Sequence, residues 1–152
     1  MMYNINGVSM IMTRKNSDLI FCSASTKEKL YYLAMIVLKF KILNNIYVAA
    51  YIGGGARLWA EGLRTHFNDI DVWLPGYHTK SRSYIDNQLV DGDPDAEIPP
   101  RIHNFCRRTA TEIFAGIYAS SIEHLLNIKL FLNRDKDQKD IYLLKKYLQE
   151  RS

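Results

Sequence analysis

Asp69 and Asp71, two aspartates one residue apart, are the side chains whose types and spacing most clearly suggest chemistry. Segment 69–74 alternates strictly between acidic or aromatic residues and aliphatic ones, which predicts a β-strand with both carboxylates on one face. Two side chains at that spacing lie roughly 7 Å apart, close enough to share a pair of divalent cations. The pattern therefore predicts a metal site, and its alternative is the solvated face of an ordinary strand.

Three consecutive glycines, residues 53–55, lie between two segments that predict regular structure. Segment 46–52 is continuously apolar, as in a strand covered on both faces, and segment 56–63 has the composition of a short helix. Gly54 and Gly55 would let the backbone approach a phosphate closely, although a plain strand-to-helix turn is the alternative. Arg57 could reach back toward that phosphate or merely cover the helix surface. The glycine spacing of dinucleotide sites and the lysine of a P-loop are both absent.

Lys129 falls on the apolar stripe of a predicted C-terminal helix. Its ammonium group either extends to the protein rim or projects toward a phosphate in a cleft. Asp137 and Asp140 follow it and suit the first turn of the last helix, where acidic side chains cap free N–H groups.

The pattern Gly54-Gly55-x-Arg57 followed by Asp69-x-Asp71 resembles the signature of the DNA polymerase β-like nucleotidyltransferase superfamily. Segments 125–129 and 134–141 are similar to the third and fourth motifs of the abortive-infection type nucleotidyltransferase toxins and their relatives. That group also includes short antibiotic-modifying enzymes. The resemblance covers residues 52–75 and 117–148, a little over a third of the chain, and the first block is the more specific one.

The resemblance implies a nucleoside triphosphate as substrate and two magnesium ions as cofactors. Under it, Asp69 and Asp71 are the paired metal ligands, and Gly54 and Gly55 form the phosphate-binding turn with Arg57 nearby. The implied reaction transfers a nucleoside monophosphate to an acceptor hydroxyl and releases pyrophosphate.

The resemblance also assigns the groups that would move protons. Lys129 would contact the triphosphate, and Asp140, or with less support Asp137, would serve as an acid or base near the reacting hydroxyl. Many superfamily members place a third carboxylate on a neighbouring strand. Glu112, in the β-prone segment 109–119, is the residue predicted for that role, and an exposed strand glutamate is the alternative.

The length and composition of the chain predict one domain over residues 1–152, and its alternating strand and helix patterns predict the α/β (α+β) class. The resemblance implies a small mixed sheet with flanking helices, as in a minimal nucleotidyltransferase fold. Hydrophobic residues make up 47% of the chain, enough for a real core. Capping-box spacings at Ser25 and Ser120 predict the starts of two helices. Segment 19–22 is a possible strand, and segment 77–104, rich in Pro, Gly and Asp, predicts an exposed loop near the site.

The partners of the chain are only partly constrained by its sequence. The formal charge of +4 permits a polyanionic substrate without requiring one. The basic cluster of Arg101, Arg107 and Arg108 slightly favours an RNA end such as tRNA as acceptor, and a solvated loop is the alternative interpretation of that cluster. A protein or a small molecule such as an antibiotic stays open as acceptor. An inactive binding or inhibitory module is the alternative function. No apolar stretch is long enough to cross a bilayer, and a cytoplasmic location is expected.

Overall fold

The computed structural model describes residues 2–5, 8–12, 19–21, 24–94 and 98–152. Over these ranges it confirms the predicted α/β class, with five α-helices, a three-stranded sheet and a six-stranded mixed sheet. The strands are β1 (Met2–Ile5), β2 (Val8–Met12), β3 (Leu19–Phe21), β4 (Ala50–Gly53), β5 (Asp69–Trp73), β6 (Ser81–Ile85), β7 (Gln88–Asp93), β8 (Thr111–Phe114) and β9 (Ile117–Ala119). The helices are α1 (Thr26–Leu43), α2 (Gly54–Ala60), α3 (Pro100–Thr109), α4 (Ile122–Leu132) and α5 (Gln138–Glu150).

The larger sheet has the strand order β6-β7-β5-β4-β9-β8. Two pairs are parallel, β5 with β7 and β4 with β9, and the other neighbours are antiparallel. The smaller sheet runs antiparallel in the order β1-β2-β3, so the strand predicted over 19–22 is confirmed at 19–21, and Cys22 lies outside the described residues.

Helix α1 begins and ends as its sequence predicts. The Ser25 hydroxyl accepts a hydrogen bond from the Glu28 backbone N–H at 3.2 Å, which satisfies one free donor of the first turn. Leu33, Val37 and Phe40 recur on one side and are fully buried in the core against the sheet. Each such side chain stabilises the fold by roughly 1.5–3 kcal/mol through the apolar area it removes from water.

The predicted central strand is present but shorter than expected. Strand β4 begins at Ala50 rather than residue 46 and lies between β5 and β9. Ala50 and Ile52 have no exposed surface because they pack in the hydrophobic core that includes residues of α1. Helix α2 follows immediately, two residues earlier than predicted, and ends before Gly62, whose φ of +82° stops it.

The prediction of an exposed loop over residues 77–104 is wrong. Strands β6 and β7 form a hairpin there, and α3 begins at Pro100. The hairpin turn consists of Asp86 and Asn87, whose φ angles of +49° and +66° are those of a type I′ turn. Because β7 then runs parallel to β5, this region lies beside the Asp69 strand and contributes residues to its acidic face.

Helices α4 and α5 pack against each other at the C-terminal end. The cap of α4 is Ser121, one residue after the predicted Ser120, and its hydroxyl accepts from the His124 N–H at 3.0 Å. Ile141 and Leu144 of α5 are buried, and Leu148 is partly buried against the same cluster. Across the ranges that the structure describes, every helix is too short or too polar to pass through a lipid bilayer.

Candidate functional site

Three aspartates meet on one face of the larger sheet. Asp69 and Asp71 share a face of β5, and the parallel register of β7 places Asp91 directly beside Asp71. Each of the three carboxylates offers an oxygen, and these oxygens all lie within 4.8 Å of one another. The predicted pair is therefore joined by a third carboxylate that the sequence did not indicate.

The acidic cluster is electrostatically unfavourable by itself. Burial raises the pKa of Asp71 to about 7, and the negative charges of Asp69, Asp91 and Asp93 add to the shift. Burial also raises the pKa of Asp69, again with a contribution from Asp91. A bound cation would relieve both the desolvation and the repulsion.

Two cations at the sheet edge partly compensate the cluster. Lys80 Nζ lies 3.4 Å from Asp93 Oδ1 and 3.7 Å from Asp91 Oδ1, and Arg82 Nε lies 3.8 Å from the same Asp91 oxygen. Both cationic side chains are more than half exposed, so these ion pairs contribute little stability. Asp91 Oδ1 has no hydrogen-bond partner among the described residues.

The glycine turn approaches the acidic pair from the neighbouring strand. Gly54 has a φ of +61°, and a Cβ added there would overlap Asp71 Oδ2 and lie 3.0 Å from Asp71 Cβ. Only glycine fits this position without displacing the carboxylate, and Gly54 lines the cleft above the cluster. Gly55 does not line the cleft. A Cβ added to Gly55 would lie 2.8 Å from Arg64 Nη1, so this residue faces the Arg64 guanidinium.

Arg57 lies away from the cleft, contrary to its predicted role at a phosphate. Its side chain is 8% exposed, with Nε donating to the Ser120 carbonyl at 2.7 Å and Nη1 donating to Glu61 at 2.8 Å. Tyr147 of α5 also donates to Glu61. Arg57 therefore ties α2 to the loop before α4, which is a structural role.

Lys129 lies in the cleft wall, as predicted, and is held there by two buried carboxylates. Its Nζ is 3.1 Å from Asp140 Oδ2 and 3.4 Å from Asp137 Oδ1. Arg134 adds two further hydrogen bonds to Asp137, at 2.8 and 3.0 Å. These bonds, together with the Arg134 backbone N–H and the charge of Lys129, lower the pKa of Asp137 to about 2 against the opposing effect of burial. Lys129 and Arg134 both line the cleft.

The predicted acid or base role of Asp140 does not fit its position. The Asp140 side chain is only 4% exposed, does not line the cleft, and accepts a hydrogen bond from Arg64 Nη2 at 2.5 Å. With cations on two sides it anchors Lys129 rather than exchanging protons with a substrate. Asp137 is similarly buried beneath Arg134.

Glu112 lies at the opposite end of the sheet from the acidic cluster. Strands β4 and β9 separate β8 from β5, and the exposed Glu112 carboxylate accepts a hydrogen bond from the Gly116 N–H at 3.2 Å. Its prediction as the third carboxylate is therefore not supported, and Asp91 has the position that Glu112 was expected to fill.

The cleft above these residues has a volume of about 640 Å³, within the range of small-molecule sites. One part is polar, with the acidic cluster on its floor and Lys129, Arg134 and Lys136 on its wall. The positive charge of Lys129 lowers the pKa of Asp71, so the cationic wall and the acidic floor of the cleft interact electrostatically.

The other part of the cleft is aromatic. Tyr51 stacks on Tyr118 with centroids 4.8 Å apart and lies 5.2 Å from Trp73. His103 of α3 stacks on Trp73 at 4.3 Å, and the Arg107 guanidinium lies 5.0 Å from the same ring. The alternation of 69–74 did place Trp73 on the acidic face, whereas the α3 contacts depend on tertiary packing.

The predicted basic cluster is exposed and helical. Arg101, Arg107 and Arg108 all lie on α3 with exposed side chains, which leaves them accessible to a polyanion. Comparison of the chain with protein-family models, with curated proteins and with solved structures found no match.

Proposed function

We propose that this protein is a magnesium-dependent nucleotidyltransferase, which transfers a nucleoside monophosphate from a nucleoside triphosphate to an acceptor hydroxyl. The observation that carries this proposal is the convergence of Asp69, Asp71 and Asp91 in a cleft whose facing wall bears Lys129 and Arg134. Nucleoside triphosphates are abundant in the cytoplasm, which is the location that the proposal implies.

The donor set fits magnesium. All three candidate ligands are carboxylate oxygens, the ligands that this hard cation prefers, and their mutual repulsion disfavours the site without a cation. When bound, the ions would supply positive charge that stabilises the charge developing on the phosphates. Asp69, Asp71 and Asp91 would hold them.

The cationic wall would bind the phosphates. Lys129 is a point charge with three donors, and Arg134, whose Nε and Nη2 donate to Asp137, would offer a phosphate the remaining donors of its guanidinium. Asp137 and Asp140 hold Lys129 in place, and Asp137 also fixes Arg134, so both cations are positioned before the substrate arrives. Such preorganised positioning supplies much of the rate enhancement in phosphoryl transfer.

Asp91 is the group that we assign to the acceptor proton. Asp91 lines the cleft, and its buried Oδ1 has no hydrogen-bond partner among the described residues, with Lys80 Nζ at 3.7 Å and Arg82 Nε at 3.8 Å. In the proposed step the acceptor oxygen bonds to the α-phosphorus, and the bond from the α-phosphorus to the bridging oxygen breaks. Pyrophosphate leaves with that electron pair, and the hydroxyl proton passes to Asp91.

Among acceptors, an RNA end such as tRNA is the one that the surface favours. Arg107 of α3 contacts Trp73 in the aromatic part of the cleft, and Arg101 and Arg108 are exposed on the same helix. A phosphate backbone can follow such a basic helix while its terminal hydroxyl reaches the carboxylates.

The proposal is tested by label transfer. Purified protein is incubated with each α-labelled triphosphate, magnesium and fractionated RNA, protein or small molecules from a cell extract. Asp91→Asn should reduce transfer at least about 100-fold, as for other groups essential to proton transfer. Glu112→Gln, which removes a carboxylate on the opposite sheet edge, should transfer label like the parent. An Asp91→Asn protein that labels any fraction at the parent rate would refute the proposed role of the cluster.

The alternative of an inactive binding or inhibitory module rests on the short chain and on the lack of a clearly identified third carboxylate in the sequence. Asp91 offers such a carboxylate beside Asp69 and Asp71, which weakens the second of these two grounds. The same experiment separates the two functions, because a binding module would bind triphosphate and magnesium while labelling no fraction.

A further inference from the structure

The aromatic part of the cleft is continuous with the acidic cluster. Trp73 follows Asp71 by two residues on the same face of β5, which places it roughly 7 Å along the strand. His103 covers Trp73 from α3, and Leu125 and Ile128 of α4 line the same space. A ligand with its phosphates at the carboxylates would extend naturally into this apolar space.

His124 is a polar residue in this otherwise apolar space. It lines the cleft, is only 8% exposed, and its Nδ1 has no hydrogen-bond partner among the described residues. Burial, aided by the nearby His103, lowers its pKa to about 4, so the imidazole is neutral at pH 7. An unsatisfied buried polar atom costs roughly 1–3 kcal/mol, which a small shift of the ring toward a hydrogen-bonding ligand would recover.

We propose that this part of the cleft is a subsite for a nucleobase, which lies against His103 and Trp73 and hydrogen-bonds at its edge to His124. The inference rests on the proposed function, and it specifies which group of the substrate occupies the aromatic space. A nucleobase combines the two properties that this space requires, namely a flat π surface for stacking and ring atoms that donate or accept hydrogen bonds.

Other ligand chemistries match the subsite less well. An aliphatic chain would leave His124 without a hydrogen bond. The only group of three or more metal-binding side chains in the described ranges is the acidic cluster, so this space holds no comparable metal site. An anion would find no positive charge on a neutral imidazole. The nucleobase could belong to the donor triphosphate or to a nucleotide of the acceptor, and both sources share this chemistry.

The subsite is tested by calorimetry on the full chain with magnesium and four kinds of probe: the nucleoside triphosphates, adenosine, adenosine monophosphate and inorganic tripolyphosphate. His124→Leu and His103→Ala should each weaken binding of base-containing probes about 5- to 30-fold, as expected for a lost hydrogen bond or stacking contact. Tripolyphosphate, which has no base, should bind all proteins within about twofold of the parent. His124→Gln should restore part of the affinity, and His66→Leu, at an exposed histidine outside the cleft, is the matched control.

The probes also separate the two sources of the base. Weaker binding of a triphosphate to His124→Leu assigns the subsite to the donor. If His124→Leu binds triphosphate like the parent but binds adenosine monophosphate more weakly in saturating tripolyphosphate, the subsite belongs to an acceptor nucleotide. Equal affinities of parent and both variants for every base-containing probe would overturn the subsite. A parent that binds adenosine but not tripolyphosphate would instead overturn the proposed triphosphate site and leave the nucleobase subsite standing.

Discussion

Asp71→Asn should make the metal-free protein more stable at alkaline pH, although it removes a residue of the candidate site. The folded state raises the pKa of the Asp71 carboxyl from its usual 3.8 to about 7, mainly by burial and then through three neighbouring aspartates. Because the folded pKa is raised, the folded state binds the extra proton between these two values. The free energy of unfolding therefore falls as pH rises from about 4 to about 7, and the loss persists above pH 7.

The size of this effect follows from the shift. At 1.36 kcal/mol per pH unit, three units correspond to a ceiling of about 4 kcal/mol. Asp71 is partly exposed, and proteins screen such charges as if their dielectric constant were near 20, so about 1–3 kcal/mol is the expected gain for the variant at pH 8. At pH 5 the gain should be smaller, because the folded parent still keeps Asp71 mostly protonated and has lost less stability through its ionisation.

The measurement is urea unfolding of parent and Asp71→Asn in EDTA at several pH values between 5 and 8, repeated with magnesium. Magnesium should stabilise the parent and should stabilise the variant much less. Glu112→Gln, which also removes one negative charge, serves as the control and should follow the parent. Two results would refute the reasoning. Asp71→Asn could have the same free energy of unfolding as the parent at every pH, or magnesium could stabilise Asp71→Asn as much as it stabilises the parent.

Three further substitutions test other parts of the site. Gly54→Ala should lose about 1–2 kcal/mol of stability, because alanine is strained in the left-handed backbone conformation, and it should also lose magnesium binding. Gly62→Ala is the control: its φ of +82° is equally left-handed but no atom lies within 4 Å of the added Cβ, so it should lose stability alone. Arg57→Leu should reduce the free energy of unfolding, measured in urea, by about 3 kcal/mol, because it leaves the Glu61 carboxylate without its buried partner. The folded variant should bind triphosphate with the parent Kd, and weaker binding would show that Arg57 contacts the phosphates. Asp140→Asn should lower the transfer rate because it weakens the ion pair that positions Lys129, but the pH dependence of the rate should keep its shape. If the acidic or the basic side of that pH profile were lost, Asp140 would instead act as an acid or base.

The sequence predicted those parts of the site that depend on local patterns. Strict alternation placed Asp69 and Asp71 on one face of a strand, and the glycines marked the turn that approaches them. Helical spacing also placed Lys129 on the inner side of α4. In each case the signal extends over a few consecutive residues, which is the range at which hydrophobic periodicity is informative.

The third carboxylate could not be predicted in the same way. Asp91 lies in a region whose Pro, Gly and Asp content resembles a loop, and it reaches the site only because β7 pairs in parallel with β5. The local signal was the pair Asp86 and Asn87, which suits a two-residue hairpin turn. Such a turn reveals the β6–β7 pairing, but the position of β7 beside β5 is a long-range property.

Arg57 and Asp140 show the opposite limit. Both residue types are common at nucleotide sites, and only burial reveals that Arg57 joins two helical segments and that Asp140 supports Lys129 from beneath. Charge and position in the sequence do not distinguish a side chain that faces a cleft from one that lies behind its wall.

The bonds that join α2 and its following loop to the C-terminal helices span long stretches of chain. Arg57 and Ser120 are 63 residues apart, Arg64 and Asp140 are 76 apart, and the residues of the third bond, Glu61 and Tyr147, are 86 apart. Closing such distant contacts costs chain entropy and slows folding. During synthesis, the acidic strand therefore emerges well before α5 is available to lock the cationic wall in place. A chain truncated before α5 would keep the three aspartates of the cluster and also Asp137, but it would lose Asp140, one of the two carboxylates that hold Lys129.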